Sequence, residues 1–358
     1  MNITIKNSIL KSAITALKPV VAARPTIPVL QCALIRYNAE GVTITGTDAD
    51  IWLTLRIDAA PHDEAAMLVS LHDLAKALQG FTNKAMMSLS ANDTGNLVLA
   101  GDGMTCALNT MPCDDFPMPR HAPDDAVSFT MPAPDLAALI GKTRHAISNE
   151  GTRYYLNGIF LHHHEGLLRA VTCDGHRLAL HDTPAGGQNM PSVIIPARAV
   201  EALHRALRKQ TGEANVTMHP KYTRFEVDGA TLITKPIDGY FPDYAQVIPS
   251  PKLSCLIPVR EVVRAAKGAQ CVNLVLRDNV LRVEGCMGGG GNTVSLEAAV
   301  KWGHEPGKIK FNAKYLCDTL AQIDGGEALI GFDDCSSPAL FTDPANAMQR
   351  FVIMPMRQ

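Results

Sequence analysis

The feature that most constrains the fold is a strand-helix pattern that occurs three times along the 358-residue chain. Each copy is a short stretch of alternating polar and apolar residues, followed at once by an amphipathic helical pattern. The copies occupy 2–17, 128–140 and 254–266, so they begin about 126 residues apart. Self-similarity at a fixed period is typical of repeated structural units.

A second strand-helix unit lies between these starts, at 67–78, 193–203 and 308–316. Strand pairs of hairpin type lie between the units, and their alternating polarity predicts sheets with one buried face. We therefore predict an α+β fold with three tandem similar domains at 1–124, 125–249 and 250–358. Each domain would contain two strand-helix-strand units, with helices on one surface and sheets on the other. Generic α+β alternation without true repetition remains the alternative.

Composition narrows the classes of function. The net charge is -2, which argues against a DNA-binding domain held by a strongly basic face, so any DNA contact would be local or topological. The nine cysteines form no C-x-x-C pair, and we interpret them as reduced core thiols rather than as a disulfide framework or a zinc site. No signal peptide or long apolar run is found, and we expect a cytoplasmic protein.

Four motifs could indicate catalysis, and each has a simpler structural interpretation. Gly141-Lys142-Thr143 lacks the first glycine of a phosphate-binding loop and lies in a helical pattern, while Gly288–Gly291 is followed by a strand and not by a helix. His162–Glu165 would place neighbouring side chains on opposite faces of a strand, which disfavours a metal site. Asp174–Arg177 contains Asp-Gly, a strong hairpin signal. We expect no catalytic residues, no metal and no cofactor.

Basic residues occur in all six predicted helices, where repetition would bring them to a common surface. Such a surface could contact the phosphate backbone of DNA, although solvated helix faces explain the same residues equally well. The residues are Lys11, Lys18, Lys76, Lys142, Arg144, Arg198, Arg205, Arg208, Lys209, Arg260, Arg264, Lys267 and Lys314.

Several longer motifs resemble those of one family. They are Arg24–Leu30, Gly46–Asp48, Thr152–Gly158, Cys173–Ala179, Gly239–Tyr244 and the ending Phe351–Arg357. In this order, and over the whole chain, they resemble the bacterial DNA polymerase III beta subunit, the sliding clamp of replication.

The resemblance implies a non-catalytic accessory subunit that forms a head-to-tail homodimeric ring, with helices lining the inside and sheets outside. It also implies loading onto duplex DNA by a clamp loader, and a pocket that binds short peptides of replicative and translesion polymerases, mismatch-repair proteins and ligases. The implied pocket residues are Arg153, Tyr155, Leu156, Cys173, Gly175, His176, Arg177, Leu178, Pro242, Gln246, Val247, Asn312, Tyr315, Val352, Ile353, Met354, Pro355, Met356 and Arg357. The implied DNA contacts are Arg24, Glu150, Tyr154 and Tyr155.

Some positions depart from the family pattern. Cys173, Gln246 and Gln358 stand where the family has a threonine, an arginine and a leucine, and Glu150 replaces a glutamine. The implied dimer interface includes Cys106, Leu108 and Lys267, and Cys106, Lys267 and Gly268 stand where the family has larger apolar residues. These departures leave open a specialised second clamp.

The last strand offers a physical reason for a promiscuous pocket. Met354 and Met356 are flexible, polarizable side chains that adapt to different apolar ligands. Packing in the core of the last strand is the alternative for both. A peptide-binding adaptor without a DNA role, and an enzyme that uses the glycine loop, remain competing functions.

Overall fold

The structure is a computed structural model that describes residues 3–22, 25–38, 41–57, 59, 64–185, 190–208, 210–287, 293–299 and 307–357. Its contacts divide the chain into two compact units. Unit 1 comprises Met1–Ala137 and Ala185–Ile237, and unit 2 comprises Ala138–Pro184 and Asp238–Gln358.

The described residues contain six α-helices and twenty-five β-strands. The helices are α1 (Asn7–Leu17), α2 (Leu71–Gln79), α3 (Ala133–Thr143), α4 (Ala197–Ala206), α5 (Val259–Ala266) and α6 (Ala313–Leu320). The strands are β1 (Ile3–Lys6), β2 (Cys32–Asn38), β3 (Gly41–Thr47), β4 (Ile51–Ile57), β5 (Ala65–Ser70), β6 (Met86–Ala91), β7 (Leu97–Gly101), β8 (Met104–Leu108), β9 (Thr110–Met111), β10 (Val127–Pro132), β11 (Gly158–His164), β12 (Leu167–Cys173), β13 (Arg177–Pro184), β14 (Val193–Pro196), β15 (Glu213–His219), β16 (Tyr222–Val227), β17 (Ala230–Thr234), β18 (Leu253–Pro258), β19 (Cys271–Arg277), β20 (Val280–Cys286), β21 (Thr293–Ala299), β22 (Gly307–Asn312), β23 (Glu327–Phe332), β24 (Ala339–Asp343) and β25 (Asn346–Ile353).

Unit 1 contains a four-stranded sheet and a nine-stranded sheet. The first has the order β1-β6-β7-β8, and the second has the order β10-β15-β16-β17-β4-β3-β2-β5-β9. All described pairings in both sheets are antiparallel, so each strand can present one face to its helices and the other outward.

Unit 2 repeats this design. Its strands form the orders β11-β12-β13-β25-β24-β23-β18 and β21-β20-β19-β22. Helices α5 and α6 pack over the second of these sheets, where Val262, Leu274, Phe311 and Leu316 are fully buried. Burying such side chains contributes about 1.5–3 kcal/mol each, so this core stabilises the C-terminal part of the chain.

The six predicted strand-helix units are all present, in the predicted order. Each helix begins directly after a strand, and in α2 and α6 the junction residue caps the helix. Ser70 accepts a hydrogen bond from the N–H of Asp73 at 3.2 Å, and Asn312 accepts one from the N–H of Tyr315 at 3.2 Å. These caps satisfy backbone donors that the first turn of a helix leaves unpaired.

The predicted hairpins are also confirmed. Strands β3 and β4, β12 and β13, and β20 and β21 pair with each other. Among the described residues, no helix is both long enough and apolar enough to cross a membrane.

Candidate functional site

The turn between β12 and β13 forms the centre of the predicted pocket. The carboxylate of Asp174 accepts hydrogen bonds from the backbone N–H groups of His176 and Arg177, both at 2.9 Å. Gly175 has φ +87°, a backbone conformation that side chains with a Cβ rarely adopt. The Asp-Gly pair therefore forms the predicted hairpin, and it presents His176 at the surface.

Arg177 connects this turn to helix α6. Its side chain is only 7% exposed and forms ion pairs with Asp174 at 3.0 Å and Asp318 at 2.9 Å. The guanidinium carbon also lies 4.4 Å from the ring centroid of Tyr315, and the His176 ring lies at 6.2 Å from the same ring. Ion pairs and cation–π contact together fix the position of the Tyr315 ring.

Burial and neighbouring groups together set the protonation states of Asp318 and His145. Burial raises the pKa of the Asp318 carboxyl, but hydrogen bonds from Lys314 and Arg177 outweigh it, so the pKa lies below its ordinary value. Burial also lowers the pKa of His145 to about 4, and the positive charge of Arg177 acts in the same direction. Asp318 is therefore ionised and His145 neutral near pH 7.

The C-terminal segment forms the next part of the site. Strand β25 pairs with β13, with Ile353 opposite Arg177 and Val352 opposite Leu178. After the strand ends, the N–H of Met354 donates to the carbonyl of His176 at 2.8 Å. The side chains of Met354 and Met356 are 44% and 40% exposed, which favours surface binding over core packing for both.

Four predicted pocket residues lie behind this surface and do not form it. Leu156, Leu178, Val352 and Ile353 are all buried, at 4% exposure or less. Leu178, Val352 and Ile353 anchor strands β13 and β25, and Leu156 anchors the 3-10 helix of residues 151–156. Asn312, another predicted pocket residue, also has a structural role, because its side chain accepts a hydrogen bond from the N–H of Tyr315 and so caps helix α6.

Arg153 covers the other side of the turn. It lies in a 3-10 helix, Gly151–Leu156, and forms an ion pair of 2.7 Å with Glu150. A Cβ atom added to Gly175 would approach a terminal nitrogen of Arg153 to 2.5 Å. Only glycine allows this close approach of the guanidinium to the turn.

Cys173 lies beneath the same turn. Its sulfur accepts a hydrogen bond from the N–H of Gly175 at 3.3 Å. Burial raises the pKa of the Cys173 thiol, so this residue is a neutral, half-buried part of the site and not a reactive thiolate.

Residues 238–248, which we call the connector, carry three more of the predicted pocket residues. It contains Pro242, Gln246 and Val247, all exposed, and a 3-10 turn at Tyr244–Val247 that Asp243 caps through the N–H of Ala245 at 3.2 Å. The connector approaches the Arg153 region closely, because a Cβ on Gly239 would lie 3.1 Å from Cβ of Tyr155.

Sequence reasoning missed one loop of the site. Residues 334–336 border a depression of about 550 Å³ together with Pro355, Met356 and Arg357. The loop is held by Asp334, whose carboxylate accepts hydrogen bonds from the backbone and hydroxyl groups of Ser336 and Ser337 at 2.7 to 2.8 Å. The Asp-x-Ser-Ser pattern predicts such a turn, but nothing local predicts its position beside the chain end.

An equivalent junction occurs in unit 1, and its surface differs. Strand β17 pairs with β4, and the N–H of Lys235 donates to the carbonyl of Asp50 at 2.9 Å, as Met354 does to His176. The turn before β4 is capped by Asp48 in the same way as Asp174 caps its own turn, and Ala49 has φ +77°.

Charged side chains cover this first junction. Lys235 forms an ion pair with Asp50 at 2.7 Å and lies 5.7 Å from the centre of the Trp52 ring. Arg198 pairs with Asp48 at 2.6 Å and donates to the carbonyls of Pro19 and Val20. The position of the flexible, exposed Met354 is thus taken by an ion-paired lysine.

The predicted interface residues lie in the two units as follows. Strand β8 forms one edge of β1-β6-β7-β8 and contains the half-buried Cys106 and Leu108, with Met104 46% exposed. Strand β21 forms one edge of β21-β20-β19-β22. Lys267 follows α5 in the same unit as β21, and Gly268 beside it has φ +79°.

The predicted DNA contacts are placed as follows. Arg24 lies outside the described residues, as do Lys209 and Gln358. Tyr154 is exposed and lies edge-on to Tyr155 at 5.7 Å. Glu150 is occupied by its ion pair with Arg153.

Several cations of the predicted helix surface are also engaged within the protein. Lys142 lies in α3, pairs with Asp324 at 2.6 Å and is only 16% exposed, so this lysine is held within the protein. Arg198, Arg205 and Lys314 form ion pairs with Asp48, Glu201 and Asp318. The positive potential of this helix set is therefore weaker than the residue count indicates.

The other motifs have structural roles where they are described. His162, His163 and His164 end strand β11, and Glu165 and Gly166 form the turn to β12. Among the described residues, no group of three or more His, Cys, Asp or Glu side chains is arranged to hold a metal ion. The glycine run 288–291 lies outside the described residues.

Comparison with known proteins shows the family of the chain. Models of the N-terminal, central and C-terminal domains of the DNA polymerase III beta subunit match residues 1–120, 130–243 and 259–357. The beta sliding clamp of Caulobacter vibrioides is 32% identical, and that of Escherichia coli is 27% identical, each over 100% of both chains.

Solved structures give the same result. A Caulobacter crescentus beta sliding clamp superposes with a TM-score of 0.90 at 31% identity, covering 100% of this chain and 99% of the other. A Bartonella birtlesii sliding clamp bound to griselimycin has a TM-score of 0.91 at 29% identity, with both chains covered fully. The chain belongs to the DNA polymerase III beta subunit family, the non-catalytic sliding clamps of DNA replication, and is composed of three tandem clamp domains.

Proposed function

We propose that two copies of this chain close head to tail into a ring around duplex DNA. The observation that carries this proposal is the repeated junction. Strand β17 joins β4, and strand β25 joins β13, each with a backbone hydrogen bond just beyond the strand end. In the first domain β8 is the equivalent of β17 and β25. In the third domain β21 is the equivalent of β4 and β13.

The third junction requires a second copy. The edges of β8 and β21 would continue the antiparallel pattern if β8 of one copy met β21 of another, and the second contact of the same kind would close the ring. Cys106, Leu108 and Lys267 belong to this interface in our proposal. The domain boundaries near 124 and 249 are part of the same proposal.

A closed ring explains how a chain of near-neutral charge is retained on DNA. Topology prevents sideways dissociation, while weak phosphate contacts without base preference allow sliding. Tyr154, Tyr155, Glu150 and Arg24 are proposed DNA contacts. A clamp loader would open the ring, and we propose that all of this takes place in the cytoplasm.

We further propose that unit 2 captures short peptide segments of polymerases and repair proteins. The surface around Arg153, His176, Tyr315, Met354 and Met356 combines apolar side chains with fixed polar groups, which is the composition of a ligand pocket. Griselimycin, the ligand bound to relatives from Bartonella birtlesii and Pseudomonas aeruginosa, is a suitable probe of this pocket.

Both parts of the proposal are open to test in solution. Sedimentation equilibrium should give twice the 38.5 kDa of one chain. Calorimetric titration with griselimycin, and with a peptide copied from a replicative polymerase of the same organism, should show saturable binding to unit 2. A chain that remains a monomer at micromolar concentration would contradict the ring.

A further inference from the structure

A buried polar network lies directly behind the connector. Arg169 and Asp182 face each other on β12 and β13, are 6% and 5% exposed, and form two hydrogen bonds of 2.6 and 2.7 Å. The third guanidinium nitrogen of Arg169, Nη1, donates to the hydroxyl of Tyr244 at 3.3 Å. This buried ion pair is not itself part of the proposed peptide-binding surface.

His162 completes the network. Its Nδ1 lies 2.9 Å from the carbonyl oxygen of His163, and its Nε2 lies 2.9 Å from the hydroxyl of Tyr244. A carbonyl oxygen can only accept, so Nδ1 carries the proton and the neutral ring accepts at Nε2. The Tyr244 hydroxyl therefore donates to His162 and accepts from Arg169, and both its hydrogen-bonding roles are used.

Stacked rings hold the connector at a second point. Phe241 is 5% exposed and its ring lies parallel to that of Phe160, with centroids 4.8 Å apart. Phe160 in turn stacks on His162 at 4.7 Å. The connector is thus fixed to strand β11 through Phe241 and to the ion pair through Tyr244, while Pro242, Gln246 and Val247 remain exposed.

We propose that the Tyr244 hydroxyl, held by His162 and the Arg169–Asp182 pair, is a positioning group that holds the connector wall of the peptide pocket in its binding conformation. This inference rests on the proposed peptide-binding function. The network touches no ligand, and it acts by keeping the exposed residues of the connector in one arrangement before a ligand arrives. Without it, only a fraction of the molecules would be competent to bind, and the apparent dissociation constant would equal the intrinsic one divided by that fraction.

The kinetics of binding separate positioning from direct contact. In the Tyr244→Phe variant the ring stays and only the hydroxyl is lost, so we expect the dissociation constant for griselimycin to rise about tenfold. The loss should fall on the association rate, because fewer molecules are competent, with the dissociation rate within about twofold of wild type. Tyr222→Phe is the matched control, since it also removes the hydroxyl of a buried tyrosine, lies on β16 of unit 1 outside the pocket, and should bind as wild type does.

Two substitutions at His162 test the hydrogen bond itself. His162→Gln keeps an acceptor for the hydroxyl and should retain affinity within about threefold, whereas His162→Leu removes the acceptor and should reproduce the effect of Tyr244→Phe. Methyl NMR of Val247 in the free protein gives an independent signal, with line broadening expected in Tyr244→Phe and His162→Leu but not in His162→Gln.

Each result has a defined meaning. Unchanged association in Tyr244→Phe, or a loss confined to the dissociation rate, would overturn the positioning role while leaving the pocket in place. An equal loss of affinity in His162→Gln and His162→Leu would also overturn it. Failure of the wild type to bind griselimycin or the polymerase peptide would contradict the proposed pocket itself.

Discussion

The backbone N–H of Met354 donates to the carbonyl of His176 at 2.8 Å, and this bond joins the chain end to the turn that precedes β13. It places an exposed methionine beside an exposed histidine. The same bond recurs between Lys235 and Asp50, where ion pairs cover the surface. One repeated backbone arrangement thus carries an exposed methionine in unit 2 and ion-paired, charged side chains in unit 1.

Removal of Met354–Gln358 should abolish peptide binding without unfolding the protein. Phe351 and Val352 remain to anchor β25, because both are buried, at 0% and 3% exposure.

The single changes Met354→Ala and Met356→Ala should each weaken binding about tenfold, which corresponds to roughly 1.4 kcal/mol of lost apolar contact. Met348→Ala is the control, since Met348 is 40% exposed on the same strand. Calorimetric titration and melting curves measure both effects, and parallel loss of melting temperature and binding would indicate core residues instead.

Arg177→Met should destabilise the protein by on the order of 3 kcal/mol, because it leaves the charges of Asp174 and Asp318 without their buried partner. Lys314→Met removes an exposed partner of the same Asp318 and should cost less than about 1 kcal/mol. Urea unfolding measures both variants. Similar losses in the two would show that burial of Arg177 contributes little.

Stability should fall as the pH drops from about 6.5 towards 4. The pKa of His145 is about 4 in the folded protein and 6.5 ordinarily, so between these values the unfolded chain takes up a proton that the folded chain does not. Above pH 6.5 His145 is neutral in both states and takes nothing from the free energy of unfolding. Near pH 4 its protonation in the unfolded chain lowers that free energy by on the order of 3 kcal/mol. His145→Gln should lack this component, so the difference between wild type and variant in urea unfolding should change with pH. A constant difference from pH 7 to pH 4 would contradict the assignment.

Each chain should bind one peptide and not two, although the junction occurs twice. Lys235 and Arg198 occupy the first junction through ion pairs with Asp50 and Asp48. Calorimetric titration with griselimycin should therefore give a stoichiometry of one per chain. A second equivalent that persists in the 354–358 deletion would place a ligand at the first junction.

The β8 edge offers a direct test of ring closure. Cys106→Lys and Leu108→Lys should lower the mass in solution from two chains to one, because a charge without a partner is costly in a buried interface. Met86→Lys is the matched control, since Met86 is 58% exposed on β6 in the middle of the same sheet. If the protein remains a dimer with both edge substitutions, the interface does not lie at β8.

Periodicity predicted the strand-helix units well because alternation and helical amphipathicity are local properties of the chain. Asp174-Gly175 predicted its own turn for the same reason, since capping by Asp174 and the positive φ of Gly175 involve neighbours in sequence. The resemblance to the family supplied the distant members of the pocket, such as Tyr315 and Met354.

Other features depend on contacts between distant segments and could not be predicted. The pairing of Lys142 with Asp324 joins residues 182 positions apart, and no local pattern distinguishes Lys142 from a solvated lysine. The Asp334 loop and the Arg169–Tyr244 contact are of the same kind. His162 lies on strand β11, and its hydrogen-bond partner Tyr244 lies 82 residues away.

The measurement that tests the central claim most directly compares retention on circular and linearised DNA. Protein is loaded onto nicked circles by a clamp loader at moderate salt, and half of the sample is then cut once with a restriction enzyme. A closed ring should stay on the circles and slide off the cut ends, because topology and not phosphate contact retains it. Equal loss from both forms, or equal retention on both, would show that ordinary binding holds the protein and would contradict the account.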